Sequence, residues 1–175
     1  MRSQHASDRK AQTKAKELKL YKFLEDANIP FEYQRHVPFK SCGLGSETQC
    51  AYLDFLVVKP WGYIVLECDE HQHKDRDPSC DVRRDFDIAA SVALGSGQQL
   101  MVVRFNPDPY KVDGITKPEG WRDRCGCLLA ILEQSEAPTK FERIFLCYDS
   151  ASDDSLPCVA GSWQSSAAKE ISRCA

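Results

Sequence analysis

The sequence predicts an α/β fold built on a central mixed sheet of four to five strands flanked by helices. Three observations carry this expectation. Apolar runs of strand length, separated by tight turns, occupy the stretch from Phe31 to Asp69. A helix with its own start and stop signals then separates the third run from a fourth, β-branched one. A second helix and a fifth strand follow in the same order, so the chain reads helix, three strands, helix, strand, helix, strand.

Each element has a local reason. From Lys14 to Ala27, Glu17, Leu20, Tyr21 and Leu24 recur at i, i+3, i+4 and i+7 and share one helical face. Phe31 to Phe39 alternates as a first strand. Ala51–Val58 and Gly62–Asp69 read as two more, joined through Lys59-Pro60-Trp61-Gly62 as a hairpin whose facing residues sum to 121. Asp77-Pro78 supplies an N-cap and a first-turn proline. The helix they open is expected to bury Val82, Phe86, Ala89, Ala90 and Ala93 and to stop at Gly95-Ser-Gly97. Gln99–Phe105 is the next strand, and its return next to the third implies a right-handed parallel crossover. A loop from Asn106, a helix near Glu119–Gln134 and a strand at Arg143–Tyr148 complete the core.

The 175 residues, 42% hydrophobic and 28% charged, suit one domain with a modest core, expected at 14–150 between a flexible basic arm at 1–13 and a loosely ordered Ser-, Ala- and Asp-rich tail at 151–175. No apolar run approaches a membrane span and the N-terminus has no secretory apolar region, so an intracellular protein of nucleus or cytoplasm is expected. The net charge of −3 conceals an asymmetry: residues 1–22 carry seven basic side chains, Lys10 and Lys14 among them, against two acids. A basic arm on an acidic body suits phosphate contact by one region and metal binding by another; a solvated helix start is the plainer alternative. Nine cysteines, an odd number, occur with no Cys-x-x-Cys pair, so free thiols or metal ligands are expected in preference to a disulfide framework.

The densest chemistry lies in Glu67-Cys-Asp69-Glu70-His71-Gln-His73, three carboxylates and two imidazoles directly after the apolar Tyr63–Leu66. Clustered like charges repel unless a cation or proton sits among them, so a divalent-metal site is the first reading. The hairpin register sets Asp54 opposite Glu67, with both side chains on one face and Asp69 two residues on. Glu17 is either a rim residue whose carboxylate reaches water or a helix-borne member of the same site. Oxygen ligands of this kind favour Mg²⁺ or Mn²⁺. His73 has the ordinary chemistry for proton transfer near neutral pH. Arg83 and Arg84 are candidate phosphate contacts or, alternatively, partners of Asp81 and Asp87. His71-x-His73 could instead bind a catalytic zinc, and Cys42, Cys50 and Cys80 with His71 or His36 could converge on a structural one.

Asp54, Glu67-x-Asp69, His73 and Arg83-Arg84-Asp85 together resemble the PD-(D/E)xK, or restriction-endonuclease-like, nucleases. Within that superfamily they are most similar to the very-short-patch-repair endonucleases and their homing-endonuclease relatives. The strand ending Val103-Arg-Phe-Asn-Pro107 is similar to one in small nucleases of this kind, and the resemblance covers residues 14–150. Asp69 stands where the commonest motif has lysine, whereas His73, six residues after Glu67, matches the repair branch.

The resemblance implies a metal-dependent endonuclease that hydrolyses DNA phosphodiester bonds with Mg²⁺ or Mn²⁺, acting as monomer or homodimer with no membrane partner. Asp54, Glu67 and Asp69 would be its metal ligands, with His73 and Glu17 completing the catalytic set. Repair endonucleases of this branch also hold a structural zinc, although their ligand spacing does not map onto these cysteines. A catalytically lapsed nuclease fold that only binds nucleic acid, and a zinc hydrolase using His71 and His73, are the alternatives.

Overall fold

The computed structural model describes residues 15–39, 50–73, 78–93, 97–138 and 141–149, without the side chains of residues 73 and 78–81. The expected arm and tail, Lys10, Lys14 and Cys42, and the side chains of His73, Cys80 and Asp81 lie outside this description.

A first helix, α1 (15–26), leads into β1 (Phe31–Pro38), β2 (Cys50–Lys59) and β3 (Gly62–Cys68). A 3₁₀ turn at Glu70–His73 precedes α2 (Pro78–Val92) and β4 (Gln99–Phe105). A small hairpin, β5 (Lys111–Val112) and β6 (Ile115–Thr116), falls in what the sequence suggested was a loop, and its Asp113-Gly114 turn has φ of 51° and 77°. Then come α3 (Trp121–Leu132) and β7 (Glu142–Leu146). The α/β class and the order of the elements are therefore as expected, with strand and helix ends within two residues of the sequence reading.

The five long strands form one mixed sheet in the order β1-β2-β3-β4-β7, antiparallel from β1 to β3 and parallel from β3 to β7. Leu20 and Leu24 of α1 and Cys125, Leu128, Ile131 and Leu132 of α3 cover one face, over Phe55, Val57, Ile64, Leu66, Met101 and Val103. Ile88 and Ala93 at and just beyond α2 cover the other, over Leu53, Leu56, Val65, Leu100 and Val102. β3 and β4 are buried on both faces, which is why they read as continuous apolar runs. Gly62 lets β4 approach closely: a Cβ there would lie 2.1 Å from the Gln99 carbonyl oxygen.

The buried stripe of α2 differs from expectation. Phe86 is 58% exposed and Ala90 is also exposed, whereas Asp85 and Ile88 are fully buried. Two guanidiniums reaching Asp85 from the sheet turn the helix this way, and Phe86 instead rests against Phe141 at the rim.

β1 and β2 change face part-way along. Leu53 belongs to the α2 side and Phe55, two residues on, to the α1 side; Val37 and Tyr33 divide likewise. Successive alternate residues of a regular strand share a face, so the pair of strands twists sharply between them. The twist falls at Gln34, whose φ is 50°, a conformation rare for a residue with a side chain. Asp54 stands across the ladder from it.

Candidate active site

The β2–β3 register sums to 121, as the sequence required, but the ladder stops at Phe55↔Leu66, one rung short of Asp54 and Glu67. Glu67 follows Val65 toward α2, the Gln34 side chain reaches Asp54, and the Asp54 charge acts on Glu67. Asp54 Oδ2 accepts the Cys68 amide at 2.9 Å, and its Oδ1 accepts the Gln34 carboxamide at 3.3 Å. The same Gln34 nitrogen donates to Glu17 Oε1 at 2.7 Å, and the Tyr33 hydroxyl donates to that oxygen at 2.6 Å. Glu17 is thus a member of the cluster and more than a rim residue. Both carboxylates are served by neutral donors.

On the α2 side the charges are paired. Arg84 Nη1 lies 3.1 Å from Glu67 Oε2, and its Nη2 donates to the Tyr52 carbonyl at 2.9 Å. Arg84 therefore joins Glu67, while Arg83 is exposed; the suggested partner Asp81 lies outside the described side chains. Arg104, the rung partner of Glu67 on β4, donates to Asp69 at 2.6 Å and to Asp85 at 3.0 Å. Arg143 adds a 2.8 Å bond to Asp85, and the Tyr148 hydroxyl a 2.6 Å bond to Asp69. Asp69 is accordingly held by two strong donors, an arrangement that positions it firmly and occupies one of its oxygens.

Gln34 and Tyr148 were not legible as site residues, and Asp85 and Arg104 stood only as parts of the motifs that carry the resemblance, with no role assigned. The one available signal was a lone arginine inside the apolar run Gln99–Phe105, where burial demands a carboxylate partner.

A third group lies beyond the end of β3. Lys16 is 2.5 Å from Asp108 and 3.9 Å from Glu70, and Asp108 Oδ2 accepts the His71 amide at 2.9 Å. His71 and Gln72 both have φ of 56°, so the backbone leaves the strand before His73 and the strand form of His-x-His is not adopted. The His71 side chain is 79% exposed beside Asp108. Cys50 is half-buried at the start of β2.

The electrostatics follow from this crowding. Burial, opposed by the Cys68 amide and reinforced by the charges of Glu17 and Asp69, pushes Asp54 up to about 6. Glu67 is pushed up to about 8 by burial, against the pull of Arg84 and with the Asp54 charge adding to the rise. Glu70 rises to about 7, again through burial, with Lys16 opposing. Burial and four neighbouring carboxylates push the Cys68 thiol far up, so it stays a neutral core residue.

Among the described residues no three His, Cys, Asp or Glu side chains come together as a metal cage. Mg²⁺ does not require one, because it is commonly held by one or two carboxylates, water and substrate phosphate. Asp54 and Glu67 are a donor set of that kind. No family model, curated protein or solved structure matches the chain. No described helix is long and apolar enough to cross a membrane.

Proposed function

We propose that the protein is a metal-dependent DNA endonuclease with a restriction-endonuclease-like core, centred on Asp54 and Glu67 and using Mg²⁺ or Mn²⁺. The observation that carries this reading is the Asp54–Gln34–Glu17 bridge. Two carboxylates share one amide donor, and among the described residues the hydrogen bonds to them come from neutral groups while the Arg84 charge acts on Asp54, at the carboxyl end of β3, where α/β sheets commonly bind ligands.

A bound divalent ion would lower the pKa of its water and neutralise charge on the phosphoryl group. Asp54 and Glu67 would hold it, and Glu17, through Gln34, would fix the angle of the Asp54 carboxylate. Arg84 beside Glu67 can orient a phosphate oxygen. Asp69, fixed by Arg104 and Tyr148, contributes a stationary negative charge next to Glu67. His73 follows two left-handed residues just beyond this end of the sheet, and its imidazole is the proposed proton carrier. A structural zinc on Cys42, Cys50 and Cys80 with His71 or His36 is a separate proposal, checked by metal analysis of the purified protein.

The lapsed-nuclease alternative has one observation in its favour: Glu67 and Asp69 already have arginine partners. Supercoiled plasmid decides between them. Nicking or linearisation with Mg²⁺ or Mn²⁺, abolished by chelator and by Asp54→Asn, is the expected result. No cleavage under any metal, with DNA binding intact, would favour the binding protein; cleavage that survives chelation would favour tightly held zinc.

A further inference from the structure

The sheet ends in two edges of unlike character. On β1, Gln34 has φ of 50°, its rung with Asp54 is missing from the ladder, and Glu32, Arg35 and Pro38 are exposed. Irregular backbone, charge and proline all keep an edge from pairing with another chain. β7 is built otherwise. Its five residues, Glu142-Arg-Ile-Phe-Leu146, run regularly until Cys147, where φ is 63°, and the Arg143 guanidinium is turned inward to Asp85 at 2.8 Å. Among the described residues no strand follows β7 in the sheet, so its outer backbone groups have no ladder partner there.

Side chains along this edge are apolar and half covered. Phe86, 58% exposed, rests against Phe141 at the start of β7 with ring centroids 5.6 Å apart, and Phe145 and Tyr148 lie 5.1 Å apart at its end. Ile144 and Leu146 are half-buried at the margin of the core under α1 and α3. An open ladder with aromatic flanks suits a strand from another chain. The charges select which chain. Laid antiparallel on a second β7 with all five residues overlapping, the strand meets itself as Glu142↔Leu146, Arg143↔Phe145 and Ile144↔Ile144. A slip of one register step that keeps the same faces together sets Arg143 against Arg143 in one direction, and in the other draws Cys147, which has left the strand, into the ladder. Full overlap puts no like charges directly opposite. Arg143, whose guanidinium carbon already lies 5.2 Å from the Phe145 ring, then faces that ring in the second copy as well.

We propose that β7 is a homodimer edge: two copies pair β7 to β7, antiparallel about a two-fold axis at Ile144, into one continuous sheet. Strand reversal brings Phe86 and Phe141 of each copy beside Phe145 and Tyr148 of the other, and these rings supply the apolar area that two short strands lack for a stable interface. The proposal stands without the nuclease reading. It has a consequence for it all the same, because the axis points the carboxyl ends of the two β3 strands, and the carboxylates beside them, in opposite directions. The two centres then act on separate stretches of substrate.

Sedimentation velocity of the full chain, in chelator and reductant over a range of concentrations, is expected to show a reversible monomer–dimer equilibrium. Ile144→Lys and Ile144→Glu should each weaken the dimer by about 10- to 100-fold, because like charges then meet on the axis. Mixing the two variants should restore it, since position 144 meets itself. Phe86→Lys should also weaken the dimer, and it takes the place of the Ile144 variants if they melt early; Arg35→Ala, on the opposite edge, should change nothing. A parent that stays monomeric overturns the proposal and leaves the β7 edge to the chain's own residues beyond 149 or to an unlike partner. So does a dimer indifferent to both Ile144 and Phe86, or a folded Lys and Glu pair that fails to recombine. Cleavage enters none of these outcomes: a monomeric protein that cuts plasmid loses the dimer and keeps the nuclease, and a dimer that does not cut does the reverse.

Discussion

Asp54 Oδ2 accepts the Cys68 amide at 2.9 Å, so a side-chain carboxylate closes the β2–β3 pairing just beyond its last rung. Asp54 thereby takes part in the sheet and in the site at once. Its substitution must be isosteric if the two roles are to be separated.

The first prediction concerns pH. Asp54, Glu70 and Glu67 are raised to about 6, 7 and 8 in the folded chain, above the ordinary carboxylate range. Across about pH 4–8 the folded state therefore binds more protons than the unfolded one, and stability falls as pH rises. Asp108, held low by Lys16 and the His71 amide against the effect of burial, acts only below that window. Melting in chelator should show a lower midpoint at pH 8 than at pH 5, with Mg²⁺ restoring part of the loss at pH 8. Asp54→Asn and Glu67→Gln should each flatten the slope and abolish cleavage. A flat profile in the parent protein would contradict the crowding.

Arg84 lowers the Glu67 carboxyl and contacts it directly. Arg84→Ala should lower both affinity and turnover and shift the acidic limb of the rate profile to higher pH, since Glu67 then ionises less readily. Arg83→Ala should lower affinity with little change in that limb. An identical limb for both variants would remove Arg84 from the site.

His73→Ala should slow turnover by about 10²–10⁴-fold, the range of general acid–base help, and change DNA binding much less. His71→Ala should do less, because its exposed ring rests beside Asp108. Single-turnover rates at saturating DNA check this, and a larger effect at His71 would reverse the assignment.

Buried Arg104 joins Asp69 to Asp85. Arg104→Met would remove the guanidinium shared by two buried carboxylates, leaving Asp85 with Arg143 and Asp69 with the Tyr148 hydroxyl, and should destabilise the fold by about 3–5 kcal/mol. Adding Asp69→Asn should recover part of the loss, because it removes the buried charge whose arginine is gone. Urea denaturation measures both, and a neutral Arg104→Met would show that the network contributes little.

Deleting residues 1–13 removes Arg2, Arg9 and Lys10. The slope of log affinity against log salt should become shallower by about 0.9 per lost phosphate contact, with cleavage at saturating protein retained. An unchanged slope would make the arm a solvated tail.

Local rules sufficed for the elements themselves. Alternation marked β1 and β2, apolar runs marked β3 and β4, and the Lys59–Gly62 turn set the 121 register without any tertiary information. They also marked Asp54, Glu67, Asp69 and Glu17 as chemically unusual, since acids beside buried strands require partners. What those partners are depends on residues distant in sequence. Arg84 on Glu67, Arg104 on Asp69 and Gln34 between Glu17 and Asp54 became visible only when the sheet brought them together. The sharp twist of the β1–β2 pair was likewise a tertiary outcome: a period-2 pattern assumes a continuous strand, whereas the left-handed backbone at Gln34 breaks that continuity, and Leu53 and Phe55 cover opposite faces.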